Sequence, residues 1–87
     1  MKKYEVLFTR TAEKQYEAIR DAKLRRGVNR VFEEIGEDPY RFKKLSGAFN
    51  GFRCAKTFSF RVIFRIQDKK LIVEVVDVAH RKDVYNQ

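Results

Sequence analysis

The chain has 87 residues, with 20 lysines and arginines against 12 aspartates and glutamates, and a formal net charge of +8 at neutral pH. This length supports one domain, residues 1–87, with a modest core, and excludes a second core or a large cofactor cleft. One cysteine excludes an intrachain disulfide, and no stretch approaches the roughly 20 apolar residues of a membrane helix. We expect a cytoplasmic protein whose partner is a polyanion, with nucleic acid ahead of an anionic membrane surface or an acidic protein.

The first half of the sequence predicts one strand and two helices. Alternation of apolar residues in residues 4–8 predicts the strand, and Thr9 or Thr11 then supplies a hydroxyl that caps a helix. Apolar residues at helical spacing carry the first helix to about Asp21 and place the second at roughly residues 24–37. The short link between them predicts an antiparallel helical hairpin.

The second half predicts three strands after a turn-rich stretch, residues 39–51, in which the periodicity vanishes. The strands are residues 52–57, 60–67 and 71–79, and the last is apolar on both faces, as is typical of a covered central strand. The predicted fold is α+β: an N-terminal strand, a two-helix hairpin, then antiparallel strands, forming a four-stranded, mostly antiparallel sheet with the helices on one face. The other face is expected to be open and to carry the arginines.

Positive charge is concentrated in residues 39–67, which contain no acidic residue. Aromatic residues are interspersed among the basic ones, and an apolar strand then leads to a short polar C-terminal tail. This combination predicts a nucleic-acid surface. The residues expected to bind RNA there are Lys43, Lys44, Lys56, Arg65 and, in the tail, Lys82.

Composition excludes several catalytic classes. One histidine and one cysteine do not make a Cys/His zinc site, and the sequence has no glycine loop for phosphate. Its acidic residues do not cluster for Mg²⁺, and no serine has the surroundings of a catalytic triad. No metal or other cofactor is therefore expected.

Metal-free cleavage of RNA needs only groups that are present. The 2′-hydroxyl of RNA attacks the neighbouring phosphate, while the protein removes its proton, stabilises the charge on phosphorus and protonates the departing 5′-oxygen. Guanidinium groups suit the phosphate, and histidine or a tyrosine near cations suits the proton transfers. Arg53 and Arg61 flank a hairpin turn and are expected to share a face, with the tail beside them. The candidate catalytic residues are Arg53, Arg61, His80, Arg81 and Tyr85.

Several motifs, in combination, are similar to those of a known family. They are residues 4–9 ahead of a helix, Asp38-Pro39, KKLSG at residues 43–47, FRVIFRI at residues 60–66 and HRKDVY at residues 80–85. Across its whole length the chain resembles the RelE family of toxins from type II toxin–antitoxin systems, within the RelE/ParE superfamily.

This resemblance implies an mRNA endoribonuclease that cuts in the ribosomal A site, arrests translation and is neutralised by a RelB-like antitoxin. It further implies that Arg61 contacts the scissile phosphate, that Arg81 acts near the leaving group and that Tyr85 stacks on or polarises the substrate. His80 stands where some members of the family have lysine.

The strand before Arg61 departs from the family pattern. Arg53 matches one of two basic residues there, but the second position is Ala55, with Lys56 one residue on. Such a one-residue step turns a side chain to the other face of a strand. Two other functions stay open: a ParE-like inhibitor of DNA gyrase without nuclease activity, and a catalytically weak RNA-binding relative.

Overall fold

The computed structural model describes residues 3–57 and 59–80, which form one mixed β-sheet and two α-helices. The elements are β1 (Glu5–Phe8), α1 (Arg10–Glu17), α2 (Ala22–Glu37), β2 (Lys43–Lys44), β3 (Arg53–Lys56), β4 (Phe60–Gln67) and β5 (Ile72–His80). Single 3₁₀ turns lie at Pro39–Arg41, Gly47–Phe49 and Asp68–Lys70. The strand order is β1-β5-β4-β3-β2, with β1 parallel to β5 and the other pairs antiparallel. Neither helix of this part is long and apolar enough to cross a membrane.

The predicted α+β architecture is confirmed, but the sheet has five strands rather than four. The added strand is β2, two residues that pair with Cys54 and Arg53 at the sheet edge. Two residues are too few to produce an alternating pattern, so this strand was predicted as part of a loop. The parallel pairing of β1 with β5 makes β5 an inner strand, which agrees with its apolar sequence.

Side-chain caps set the helix boundaries. The Thr9 hydroxyl accepts a hydrogen bond from the Ala12 amide at 3.1 Å, as the sequence predicted for the start of α1. The first helix ends at Glu17 instead of about Asp21, because the Asp21 carboxylate caps α2. It accepts hydrogen bonds from the amides of Lys23 and Leu24 at 2.8 and 3.1 Å. An N-cap residue has extended backbone, so Asp21 does not also continue the preceding helix.

The hydrophobic core lies between the helices and one face of the sheet. Alternate residues of β4 and β5 point into it, and apolar residues of both helices cover them. The fully or nearly fully buried members include Ala12, Val28, Ile35, Val62, Phe64, Val73, Val75 and Val78. Each large side chain buried here stabilises the fold by about 1.5–3 kcal/mol. The residues of β4 that lie in the core therefore show which of its side chains point to the helices and which point to the opposite side of the sheet.

Candidate functional site

The hairpin of β3 and β4 places two cations opposite each other. The Thr57 hydroxyl accepts hydrogen bonds from the amides of Ser59 and Phe60 at 3.1 and 2.7 Å, which stabilises a tight turn between the strands. With the turn held in this way, Lys56 pairs with Arg61 and Ala55 with Val62. Val62 belongs to the core, so Lys56 and Arg61 project from the face opposite the helices. We call this the distal face.

Arg53 lies on the other side of the sheet, so the expectation that it shares a face with Arg61 is wrong. It pairs with Phe64, a fully buried core residue, and therefore points to the helix side. Its guanidinium Nη1 donates hydrogen bonds to the carbonyl oxygens of Tyr40 and Phe42 at 3.2 and 2.8 Å. The cation also lies 5.0 Å from the centre of the Tyr40 ring. These contacts hold Arg53 against the segment that follows α2.

Ala55 is 1% exposed on the helix side, where a basic residue could not reach the distal face. Lys56, one residue later, is exposed on the face that carries Arg61. The basic partner of Arg61 on β3 is Lys56.

A β-bulge in β5 determines which residues accompany Arg61. Ile63 pairs with Asp77, whereas Phe64 pairs with Val75, so Val76 has no partner on β4. Without this extra residue, simple alternation from Val75 would direct Asp77 toward the core. The bulge instead turns Asp77 to the distal face, where its carboxylate lies 3.5 Å from the Arg61 guanidinium.

Asp77 is also bound by the first helix. β1 pairs with β5 only as far as Val75, and Gln15 of α1 occupies the next part of that strand edge. Its side-chain oxygen accepts a hydrogen bond from the Val78 amide at 2.8 Å, and its Nε2 donates one to Asp77 at 3.0 Å. The side chains of Arg61 and Asp77 are only 24% and 26% exposed, and the Arg61 Nε atom is buried without a hydrogen-bond partner among the described residues. Arg61 is therefore a largely desolvated guanidinium held loosely by one carboxylate.

His80 lies on the helix side of the sheet, contrary to the expectation that it stands beside Arg61. It pairs with Phe60, a core residue, and the two rings are 4.9 Å apart. The bulge at Val76 is the cause, because without it His80 would alternate to the distal face. The imidazole is exposed at the strand end.

The remaining predicted RNA-binding residues divide between the two faces. Lys43 pairs with Cys54 and lies on the distal face, whereas Lys44 pairs with Arg53 and lies on the helix side. Arg65 is on the distal face but its Nε donates to the Glu74 carboxylate at 2.7 Å. Arg81, Lys82 and Tyr85 lie outside the described residues. No group of three or more His, Cys, Asp or Glu side chains within residues 3–57 and 59–80 could hold a metal ion.

One polar cluster was not predicted from the sequence. The hydroxyls of Tyr4 and Tyr40 both donate to the same oxygen of Asp68, at 2.7 and 3.0 Å. These hydrogen bonds hold the pKa of Asp68 below its ordinary value, and the bond to Asp68 raises the pKa of Tyr4 to about 12. The same carboxylate raises the pKa of Tyr40. The three residues are far apart in the sequence, so no local pattern indicates the cluster.

Solved structures similar to this chain include chains of toxin–antitoxin complexes. A chain of the RelBE2 toxin–antitoxin complex of Mycobacterium tuberculosis is similar at 29% identity with a TM-score of 0.81, over 93% of this chain and 94% of that one. A chain of the intact E. coli RelBE toxin–antitoxin complex aligns with a TM-score of 0.76 over 87% of this chain and 94% of that one; at 24% identity it shows the fold alone. The fold is thus that of a RelE-like toxin domain.

Comparison of the sequence with known proteins identifies the family. Residues 6–85 match the family model described as the ParE toxin of the type II toxin–antitoxin system parDE. Toxin RelG of Mycobacterium tuberculosis is 29% identical over 89 residues, a match that covers 97% of this chain and 98% of the relative. The chain belongs to the RelE/ParE superfamily and is a toxin of a type II toxin–antitoxin system.

Proposed function

We propose that this toxin is a metal-independent mRNA endoribonuclease that acts in the cytoplasm on mRNA in the ribosomal A site. The observation that carries the proposal is the pairing of Lys56 with Arg61 on the distal face. Two cations at adjacent positions of one sheet suit a phosphodiester with its two non-bridging oxygens. Partial burial of Arg61 lowers the effective dielectric around it, which strengthens its attraction for a developing negative charge.

The proposed reaction is an internal transfer at phosphorus. The 2′-hydroxyl loses its proton as its oxygen bonds to phosphorus, the bond from phosphorus to the 5′-oxygen breaks, and that oxygen takes up a proton. The products are a 2′,3′-cyclic phosphate and a 5′-hydroxyl end. Arg61 donates its two terminal N–H groups to the phosphate oxygens, and Lys56 neutralises the added charge.

The remaining roles belong to the C-terminal tail. Arg53 and His80 point to the helix side, so we leave both out of the catalytic set. We assign Arg81 to the departing oxygen, and Tyr85 to stacking on the substrate and to proton transfer. Both residues follow β5 closely in the sequence.

A RelB-like antitoxin is the proposed protein partner. The chain is a toxin of a type II toxin–antitoxin system, and two of the similar solved structures are toxin–antitoxin complexes. Binding of such an antitoxin would block the distal face or compete with RNA for its charges. Co-expression of a cognate RelB-like antitoxin is expected to restore growth of cells that express the toxin.

Primer extension on cellular mRNA after induction tests the nuclease. New 5′ ends within translated codons, together with unchanged plasmid supercoiling, are the expected result. The same cleavage is expected from purified toxin on programmed ribosomes, and toxin stripped with EDTA and then dialysed should cut at the same rate as untreated toxin. Intact mRNA in both settings would rule out the nuclease.

Inhibition of DNA gyrase is the second candidate, and the description of the matching family model as a ParE toxin favours it. The fold does not decide between the two, since one fold hosts different functions. Relaxed plasmid DNA after induction, with intact mRNA, would establish this alternative. RNA binding without either effect would identify a catalytically weak relative.

A further inference from the structure

A second cationic site lies on the helix side of the sheet, away from Arg61. It is a cleft of about 240 Å³ at the edge formed by β2 and β3. Its walls include Tyr40, Lys44, Asn50, Phe52, Arg53 and Ile66. The volume is smaller than that of ordinary ligand pockets, which run roughly from 300 to 1,000 Å³, so the cleft suits part of a longer ligand rather than the whole of it.

The cation inside the cleft is held in place by protein contacts. Arg53 is half-buried, stacks on the Tyr40 ring and donates through Nη1 to two backbone carbonyls. Within the described part of the chain these are its hydrogen bonds, so Nε and Nη2 are left to bind an anion. A guanidinium fixed in this way loses little side-chain entropy when a phosphate binds.

The charges around the cleft favour an anion. Lys44 is exposed at its rim, and residues 39–67 contain no acidic side chain. The carboxylate that contacts Tyr40 is that of Asp68, whose Oδ1 accepts hydrogen bonds from the hydroxyls of Tyr4 and Tyr40. Arg41, another basic residue of this stretch, lies 3.4 Å from the Glu34 carboxylate and contributes less.

Aromatic surface next to these cations favours a nucleotide over a simple anion. Tyr40 is 49% exposed, and Phe52 lines the cleft with the 43% exposed Phe49 packed edge-on against it. Exposed rings beside cations provide stacking platforms for bases in proteins that bind single-stranded nucleic acid. The Asn50 side chain supplies both a donor and an acceptor at the wall.

The cleft is connected to the distal face through β2. Lys43 and Lys44 are neighbours in this two-residue edge strand and point to opposite faces. A single strand of RNA that passes over this edge would meet Lys43 on the side of Arg61 and Lys44 on the side of the cleft. Because β2 is the last strand of the sheet, no further strand obstructs that route among the described residues.

We propose that this cleft binds one nucleotide of a single-stranded RNA while the phosphate of another nucleotide of the same strand contacts Arg61. Arg53 and Lys44 bind the phosphate of that nucleotide, and Tyr40 with Phe52 stacks its base. The choice of RNA rests on the proposed nuclease function, whereas the binding itself is measured without cleavage.

The test is fluorescence anisotropy with a labelled, fully 2′-O-methylated hexaribonucleotide, which lacks the attacking hydroxyl. Lys44→Gln in the full chain is expected to weaken binding about 3- to 10-fold and to reduce the salt slope by about 0.7. Tyr40→Leu removes the ring and is expected to weaken binding about 5- to 100-fold. Tyr40→Phe keeps the ring but loses the hydroxyl bond to Asp68, and should bind like the parent.

Lys70→Gln is the matched control, since it removes one exposed positive charge at the turn before β5. It should bind within about two-fold of the parent, as expected for a charge outside the binding surface. Affinities for Lys44→Gln and Tyr40→Leu that equal the control would overturn the proposal. Equal weakening of binding to polyglutamate would show that the cleft instead receives an acidic protein segment.

The two proposals fail in different ways. If the parent cuts no mRNA but Lys44→Gln and Tyr40→Leu still lose affinity for the oligonucleotide, the cleft is an RNA site and the nuclease assignment is wrong. If mRNA is cut and neither substitution changes oligonucleotide binding, the cleft assignment alone is wrong.

Discussion

Lys56 and Arg61 stand directly opposite each other on β3 and β4, so two cations five residues apart in the sequence occupy adjacent positions on one face. The hydrogen bonds of Thr57 maintain this register. A shift of one residue would direct Lys56 into the core side and leave Ala55 beside Arg61. The pair therefore depends on the turn as much as on the two residues.

Replacement of Arg61 is the first test of the proposed nuclease. Arg61→Ala is expected to lower mRNA cleavage on programmed ribosomes about 100- to 1,000-fold, the usual effect of removing a donor that stabilises transition-state charge. Arg61→Lys keeps the charge but loses the planar fork, so cleavage should recover only partly. The control is Arg30→Ala, an exposed arginine of α2, which should cut like the parent.

Lys56 provides a second test of the proposed nuclease, because the register of β3 and β4 places it opposite Arg61. Lys56→Ala is expected to reduce cleavage about 10- to 100-fold, equivalent to losing a hydrogen bond from a charged donor. Lys56→Arg should restore most of the activity. Unimpaired cleavage by Lys56→Ala would mean that the charge opposite Arg61 has no part in catalysis.

Arg53 is expected to affect stability more than cleavage. Arg53→Ala removes the donor to the carbonyls of Tyr40 and Phe42 and should lower the free energy of unfolding by about 1.5–3 kcal/mol. Urea unfolding of the purified variant measures this effect. A normal unfolding midpoint would contradict this stabilising role, and cleavage that stays slow at saturating substrate would show a part in catalysis beyond RNA binding.

The carboxylate of Asp77 competes with RNA for Arg61. Asp77→Asn keeps the acceptor for Gln15 but removes the negative charge 3.5 Å from the guanidinium. RNA affinity should rise, and the slope of log affinity against log salt should steepen by up to about 0.7, because Arg61 becomes free to contact one more phosphate. Weaker binding by this variant would show that Asp77 instead orients Arg61 for its substrate.

Acid should destabilise the fold partly through Asp68. Because its pKa is held below the ordinary value of 3.8, its contribution is present above that pH and is lost as the pH falls below it, where the unfolded chain takes up the proton first. Urea midpoints of the parent and Asp68→Asn should differ at pH 7, and the difference should shrink as the pH falls below 3.8. The exposed Glu37, changed to Gln, serves as a control that leaves this difference unchanged.

At high pH the stability of the fold is expected to fall because Tyr4, in the same cluster, loses its proton. The pKa of Tyr4 is raised to about 12 from 10.0, so its contribution is complete below pH 10 and is lost as the pH rises toward 12. Tyr4→Phe should remove that alkaline loss while retaining the buried ring. An unchanged alkaline limb in this variant would mean that Tyr4 does not donate to Asp68 in solution.

Much of the fold followed from patterns within single segments. The alternation of β4 predicted its boundaries, residues 60–67, without error, and the cap of α1 is Thr9, one of the two threonines predicted for it. Strand β2 was missed because pairing with β3, and not its own sequence, makes it a strand. The end of α1 was placed too late because Asp21 was read as a helix residue rather than as a cap.

The side of the sheet on which each candidate site residue lies was predicted correctly for some residues and wrongly for others. Arg61 was assigned to a strand face opposite the core, and the structure places it there. Arg53 and His80 were expected beside it, and both lie on the other face. For Arg53 the cause is the length of the β3–β4 turn, and for His80 it is the bulge at Val76.

By itself the sequence determined the α+β class, the segments that become the two helices and four of the five strands, and the concentration of positive charge in residues 39–67. These properties depend on periodicity and composition, which are present in the sequence itself. Only the tertiary structure decided which cations share a face, because side chains of a strand alternate and one extra residue reverses every position beyond it. That reversal pairs Arg61 with Asp77, and the hairpin register sets Lys56 beside them.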